Sequence, residues 1–203
     1  MAHTREFPTA VLEAIATNLG ETIDFDQFGA GAKKGKASSK APLTLCETID
    51  LWEMKRLPEG VKDFEACVCA TGYWIHQVRR GKRAVFTIKT TPFGPLPDDW
   101  KIESVKTTPF PEKLDQTFHW VDAHVEGDPQ VRLLWIPSYL TYVLWLKNKS
   151  IGSFVFVTAP DSVSKPAGAR REIDPASFVK YLRSAPLNLE FGSTPRPERH
   201  PRG

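Results

Sequence analysis

The sequence predicts a single α+β domain over residues 1–185, followed by a disordered, basic, proline-rich tail over residues 186–203. Three observations lead to this fold class. Segments in which apolar residues recur at helical spacing are interspersed with segments in which apolar and polar residues alternate. The longest alternating segment contains a turn that folds it back on itself. The third is that 203 residues with 41% apolar composition suffice for one hydrophobic core. We therefore expect a mostly antiparallel, twisted sheet with three or four packed helices.

Charge and composition argue against several classes of protein. The chain carries 27 Lys and Arg against 24 Asp and Glu, a smaller excess than a dedicated nucleic-acid-binding protein usually has. The longest uncharged apolar stretch, residues 133–146, contains a proline and is shorter than the roughly 20 residues that span a bilayer, so it predicts buried core and no membrane association. Three cysteines, an odd number, in a chain that begins without a secretory signal indicate the reducing cytoplasm.

The N-terminal part of the chain predicts two helices separated by a strand and a loop. Apolar residues at helical spacing predict a helix over 10–19, and alternation over 21–28 predicts a half-buried strand. Residues 29–42 are small and basic and lack a large apolar side chain, which predicts a flexible loop. Thr44 and Glu47 have the spacing of a capping box, and apolar residues at helical spacing follow them. This pattern predicts a second helix.

The clearest local pattern is a β-hairpin over residues 73–89 that turns at Gly81-Lys82. A two-residue turn predicts that Arg80 lies opposite Arg83, where like charges repel each other by up to about 1 kcal/mol. The same register predicts three further opposed pairs, Val78 with Val85, Gln77 with Phe86 and Ile75 with Ile88.

The C-terminal half predicts further strands and one well-capped helix. Five prolines over 92–111 predict a connector with at most one short edge strand. One short sequence occurs twice, first as Lys89-Thr90-Thr91-Pro92-Phe93 and again as Lys106-Thr107-Thr108-Pro109-Phe110. The predicted strands cover residues 117–125, 131–136 and 152–159.

Residues 138–148 allow two interpretations. Ser138 after Pro137 predicts a helix start, whereas the Tyr, Thr and Val residues that follow favour a second consecutive strand. We prefer the helix. Asp174 and Pro175 predict the start of a last helix, which runs through Arg183.

No motif predicts a cofactor or a metal. The glycine-rich segment 29–36 lacks the spacing of a phosphate-binding loop, because Ala30 and Ala37 occupy two of its required positions. Cys67 and Cys69 would point to the same face of a strand, but two thiols without a second ligand pair do not make a zinc site. We interpret them as buried structural cysteines.

A weak acid–base arrangement leaves an enzymatic function open. Asp122 and His124 would share one face of the strand over 117–125, where a carboxylate beside an imidazole suits proton transfer. A hydrolase would also need a nucleophile, for which Cys67, Cys69 or Ser138 are the candidates. The polar outer face of an amphipathic strand explains the same two residues, so the sequence leans against an enzyme. His76 would be a half-exposed packing residue.

The most unusual cluster is basic. Arg79, Arg80, Lys82 and Arg83 place four cations in five residues at the hairpin tip, and we predict Trp74 and Lys89 further along the same face. Exposed arginines bind carboxylates and phosphates, although a charged tip is also ordinary for a solvated turn. We expect a non-enzymatic cytoplasmic interaction protein that engages an acidic protein partner through this tip. The alternatives are a nucleic-acid-binding protein that uses the same cluster, and a hydrolase that uses Asp122 and His124.

Overall fold

A computed structural model gives the fold of the chain. It describes residues 3–4, 7–19, 41–94, 96, 99–107, 109–148, 151–158 and 171–185. The predicted strand over 21–28, the glycine-rich segment over 29–36, nearly all of the predicted loop over 29–42 and the predicted tail over 186–203 lie outside the described residues.

The described residues form four α-helices and eight strands, joined in places by short 3₁₀ turns. The helices are α1 (Thr9–Asn18), α2 (Phe64–Cys67), α3 (Phe110–His124) and α4 (Pro175–Ser184). The strands are β1 (His3–Thr4), β2 (Leu43–Met54), β3 (Val68–Arg80), β4 (Arg83–Pro92), β5 (Trp100–Thr107), β6 (Gln130–Ile136), β7 (Thr141–Lys147) and β8 (Ser153–Phe156).

All eight strands belong to one open sheet, which confirms the predicted single α+β domain. The strand order is β5-β4-β3-β2-β6-β7-β8, and β1 pairs with β6. β6 runs parallel to β1 and β2, and every other pair is antiparallel. Ile173 adds a single bridge to Phe154 on the outer side of β8. None of the described helices is both long and apolar enough to cross a membrane.

Helices cover both faces of the sheet. Leu114, Phe118 and Val121 of α3 are buried against one face, in a cluster with side chains of β2, β3, β6, β7 and β8. The opposite face packs on α1 at the β3 end and on α4 at the β7 and β8 end. The sheet is therefore the middle of three layers, and α3 stands alone on its side among the described helices.

The sheet curls strongly toward α3. The Nζ atom of Lys106 on β5 lies 2.6 Å from the Oη atom of Tyr142 on β7. Five strand-to-strand steps separate these strands, which would place them about 24 Å apart in a flat sheet, too far for the two side chains to meet. Register shifts interrupt the β2–β3, β3–β4 and β4–β5 ladders, and such bulges increase local twist and bend a strand.

The predicted hairpin is confirmed, but most of its predicted register is wrong. Gly81 adopts φ +60° in the turn, and Arg80 lies opposite Arg83 as predicted. A bulge then leaves Val85 without an opposed residue, because Arg79 pairs with Ala84 and Val78 with Phe86.

That one extra residue shifts each remaining pair. Gln77 therefore pairs with Thr87 and Ile75 with Lys89, in place of the predicted Phe86 and Ile88. A two-residue turn sets the register only as far as the first bulge.

Two predicted elements have the wrong secondary structure. Residues 43–54 form β2, not a helix; β2 lies inside the sheet between β3 and β6, so it buries Ile49, Asp50 and Leu51 in succession. Residues 117–125 belong largely to α3, not to a strand. The apparent alternation there covers the second half of a helix whose buried residues, from Leu114 to Val121, follow helical spacing.

The alternative that we ranked second for residues 138–148 is confirmed. A 3₁₀ turn over Pro137–Tyr139 leads to Leu140, which has a left-handed backbone with φ +50°, and β7 then returns antiparallel to β6. The predicted helix is wrong because pairing with β6 and β8 satisfies the backbone of β7 on both sides.

Several predicted elements are confirmed. α1 buries Val11 and Ile15, and the described part of the proline-rich connector forms a single edge strand, β5. β6 contains the whole predicted strand over 131–136 and begins one residue earlier, and β8 lies within the predicted strand over 152–159. Asp174 caps α4 by accepting a hydrogen bond from the Ser177 amide at 2.9 Å.

His76 is fully buried, which corrects the prediction of a half-exposed residue. Its Nδ1 atom lies 3.0 Å from the Thr48 hydroxyl and its Nε2 atom lies 2.7 Å from the Thr90 hydroxyl. Burial lowers the pKa of His76 to about 3, because the imidazolium would lose its water. The ring is therefore neutral in the folded protein.

We predict that His76 makes the protein acid-sensitive. The unfolded chain binds a proton to this residue near pH 6.5 and the folded protein does not, so the free energy of unfolding falls as pH falls from 6.5 toward 3. Between pH 6.5 and 4.5 the contribution of His76 is about 2 kcal/mol. Urea unfolding at a series of pH values, for wild type and His76→Gln, measures it. Equal pH slopes for the two proteins would contradict the prediction, since other titrating groups are common to both.

Candidate functional site

At the hairpin tip, helix α3 neutralises two of the four predicted cations. Arg79 donates from Nε to Asp115 Oδ1 at 3.0 Å, and from Nη2 to the same oxygen. Arg83 donates from Nε to Glu112 at 2.7 Å. Both carboxylates lie on α3, so these arginines connect the hairpin to the helix.

The other two cations have no carboxylate partner in the part of the chain that the structure describes. Lys82 is exposed at the turn. The Nε atom of Arg80 is buried and has no hydrogen-bond partner among the described residues. Ala41 lies against Gly81, so the chain enters β2 beside the tip. The sequence just before Ala41 contributes Lys33, Lys34, Lys36 and Lys40.

Trp74 and Lys89 do not share a face, contrary to the prediction. In the β3–β4 register Trp74 pairs with Thr90 and Ile75 pairs with Lys89, so the two side chains point to opposite sides. Trp74 is buried beside Phe7, with ring centroids 4.9 Å apart. Lys89 points to the concave face of the sheet, away from α1.

We predict different coupling energies for the two ion pairs at the tip. Side-chain exposure is 23% for Arg79 and 14% for Asp115, whereas Arg83 is 70% exposed. Water screens an exposed pair, so a double-mutant cycle should give about 1 kcal/mol or more for Arg79 with Asp115 and below about 0.5 kcal/mol for Arg83 with Glu112. The cycles use Arg→Met and acid-to-amide variants in urea unfolding. A larger coupling for the exposed pair would be the contradictory result.

The residues proposed for a hydrolase do not form a site. Asp122 and His124 lie two positions apart on α3, so they project in different directions around the helix. His124 is exposed and stacks on Trp120, with centroids 4.8 Å apart. Cys67 is buried and its thiol lies 3.2 Å from Asp63, in contact with neither of the proposed acid–base residues.

The hydrolase hypothesis depended on the prediction that Asp122 and His124 share one face of a strand. That prediction is wrong, because both residues lie on α3. Nor does Cys67 share a strand with Cys69, since it ends α2 and Cys69 belongs to β3. Among the described residues, no group of three or more His, Cys, Asp and Glu side chains could hold a metal ion.

The concave face of the sheet holds a cavity of about 240 Å³ beside the first turn of α3. We call it the aromatic pocket because four of its walls are rings. Its lining consists of Leu51, Glu53, Thr71, Tyr73, Ile75, Thr87, Lys89, Ser104, Lys106, Phe110, Trp135 and Tyr142. These residues come from β2, β3, β4, β5, β6, β7 and α3, so the pocket exists because the sheet curls.

Two lysines of the aromatic pocket lie over its rings. Lys106 Nζ lies 4.3 Å from the centroid of Tyr142 and 4.9 Å from that of Phe110, and it donates a hydrogen bond to Tyr142 Oη. Lys89 Nζ lies 4.3 Å from the centroid of Tyr73. Loss of water lowers the pKa of Lys106. The ring faces are negative and attract the ammonium.

The rings form a connected wall. Tyr142 lies 4.4 Å from Trp135 and 4.7 Å from Phe110, measured between centroids. Burial raises the pKa of Tyr142 to about 12, so its hydroxyl stays protonated and neutral. The wall is therefore apolar on its ring faces and offers no negative charge to the lysines.

Neither lysine of the pocket forms an ion pair with a carboxylate of the described residues, although the charge of Lys89 contributes, after the hydrogen bond from Lys101, to the lowered pKa of nearby Glu103. Within the described residues, neither Lys89 nor Lys106 has an Asp or Glu oxygen within 4.0 Å. Glu53 is the one carboxylate in the lining, and Lys55 pairs with it at 2.9 Å. The pocket thus presents two ammonium groups and one carboxylate that already has its counter-ion.

Of the charged and aromatic residues that line the pocket, only Lys89 is among the binding residues predicted from the sequence. One signal could have located part of it, namely the Lys-Thr-Thr-Pro-Phe repeat. The lysines of its two copies, Lys89 and Lys106, lie on the adjacent strands β4 and β5 and both line the pocket. Phe110 of the second copy lines it too, whereas Phe93 of the first is 67% exposed.

Comparison with protein-family models, with curated proteins and with solved structures finds no match to this chain.

Proposed function

We propose that the protein is a non-enzymatic binding protein for a small organic anion, which it holds in the aromatic pocket. One observation carries this proposal. Two ammonium groups face an aromatic-walled cavity, and no carboxylate oxygen of the described residues lies within 4.0 Å of either. Lys89 is half-buried and Lys106 is exposed, so ligands can reach both amines, and an acid group between them gains charge-assisted hydrogen bonds. A bound anion would supply this group.

The strand register supports a shared anion site. Thr87 lies opposite Lys106 and Ser104 lies opposite Lys89, so the two lysines are diagonal neighbours on one face. Their Cβ atoms are then roughly 7–8 Å apart or slightly less. Lysine side chains are long enough for both amines to contact a single acid group placed between them.

The volume of the pocket limits the ligand. Sites for drug-sized molecules usually enclose about 300–1,000 Å³, and this cavity encloses about 240 Å³. A dinucleotide or an acyl-coenzyme therefore exceeds the pocket, and a small acid of one or two rings fits it.

We predict that both lysines are needed for anion binding. Benzoate, hexanoate and phenyl phosphate serve as probes in calorimetric titration, and at least one should bind. Lys89→Met and Lys106→Met should each weaken that binding about tenfold or more, because each variant removes a charge-assisted hydrogen bond worth roughly 1.5–3 kcal/mol. Lys62→Met is the control, because Lys62 is exposed in the 3₁₀ turn before α2 and does not line the pocket.

Either of two results would contradict the proposal. One is that none of the three anions binds to the wild-type protein. The other is that Lys62→Met weakens binding as much as the two pocket variants do, which would point to a general loss of positive charge.

A second function, contact with an acidic protein partner through the hairpin tip, is also proposed. The observation that favours it is that Arg80 and Lys82 have no carboxylate partner in the described part of the chain, although α3 pairs with Arg79 and Arg83. Positive charge thus remains at the tip. Nucleic acid is the alternative occupant of this surface.

We predict that the double variant Arg80→Gln, Lys82→Gln loses the partner. Lys62→Gln, Lys180→Gln is the control, since it removes the same charge from exposed positions elsewhere. Co-purification from the native host at low and high salt compares these proteins. A discrete acidic protein should be lost from the tip variant and kept by the control. Nucleic acid that is lost from the tip variant and released steeply by salt would overturn the protein-partner proposal, as would a partner that both variants keep.

A further inference from the structure

We infer that the ligand of the aromatic pocket is a flat aromatic acid, with a carboxylate or phosphate group attached to its ring. This inference rests on the proposed anion-binding function and names the chemical class of the ligand. It depends on three features of the pocket: the nature of its walls, the position of its amines relative to those walls, and its charge.

The walls suit a flat ring better than an aliphatic chain. Tyr73, Phe110, Trp135 and Tyr142 line the pocket from four different elements, whereas Leu51 and Ile75 are its aliphatic contributions. Aromatic rings pack on one another in offset or edge-to-face geometry and gain about 0.5–1.5 kcal/mol beyond the burial of apolar area. A flexible aliphatic acid of equal size would not gain this term.

The amines lie where an acid attached directly to such a ring would be. Lys106 lies over Phe110 and Tyr142, and Lys89 lies over Tyr73, so each ammonium is within 5 Å of a wall ring. Among the described rings, Trp135 pairs with Tyr142 and with no other. A carboxylate between the two lysines would therefore leave the ligand ring beside these walls, with Trp135 available to pack against it.

The charge of the lining favours an acid over a neutral ligand. Lys89 and Lys106 contribute two positive charges, and Lys55 already offsets the negative charge of Glu53. A carboxylate or a phosphate group supplies negative charge to both ammonium groups, whereas a neutral amide supplies none.

Matched probes test the inference. 2-Naphthoate, its saturated analogue decahydro-2-naphthoate, 2-naphthyl phosphate and neutral 2-naphthamide share one skeleton and differ in aromaticity or charge. Calorimetry and quenching of tryptophan fluorescence follow their binding to the full chain. We expect 2-naphthoate to bind at least tenfold more tightly than its saturated analogue and than the neutral amide, and its affinity relative to 2-naphthyl phosphate shows which acid group the two lysines prefer.

The outcomes separate this inference from the function on which it rests. Equal affinity for 2-naphthoate and its saturated analogue would overturn the aromatic class and leave anion binding intact. Two outcomes would overturn both this inference and the anion-binding function. One is that only the amide binds. The other is that none of the four probes and none of the three simple anions used above binds.

Variants of the wall provide an independent readout. Trp135→Leu should reduce the preference for 2-naphthoate over its saturated analogue to less than threefold, and Trp135→Phe should retain most of that preference. Tyr73→Leu replaces Trp135→Leu if the latter fails to fold. Lys62→Met, outside the pocket, should leave the preference unchanged. A preference that persists in both leucine variants would show that these rings do not select the ligand.

Discussion

The curl of the sheet is the constraint on which the rest of the structure depends. A flat seven-strand arrangement would keep β5 and β7 far apart, and Lys106 could not reach Tyr142. Bulges in three successive ladders provide the bend, at the cost of a few unpaired backbone groups. Once the sheet is bent, its concave face has room for one helix and, beyond the first turn of that helix, for one cavity.

Helix α3 connects the two surfaces to which we assign functions. Its first residue, Phe110, forms part of the pocket wall, and Glu112 and Asp115, less than two turns further on, hold Arg83 and Arg79 at the hairpin tip. Buried Leu114 and the apolar residues that follow it fix the helix to the sheet between these contacts. A change in the position of α3 would therefore alter both surfaces together.

Features that depend on neighbouring residues could be predicted from the sequence, and features that depend on distant pairing could not. Asp174 and Pro175 start α4, and Gly81 turns the hairpin, by local chemistry alone. β2 resembled a helix because its two-sided burial arises from β3 and β6, which lie elsewhere in the chain. The pocket shows both cases: its lysines belong to a visible repeat, whereas Tyr142 joins Lys106 only through the curvature of the sheet.

An open sheet leaves two outer strands whose backbone could recruit a strand from another chain. This sheet protects each edge differently. Ile173 exchanges two backbone hydrogen bonds with Phe154, at 3.0 and 2.9 Å, and so occupies part of the free side of β8. On β5, the side chains of Lys101 and Glu103 are exposed and charged. They would have to lose water before another strand could pair with β5. Resistance to strand-mediated aggregation is thus distributed between a short backbone bridge at one edge and charged side chains at the other.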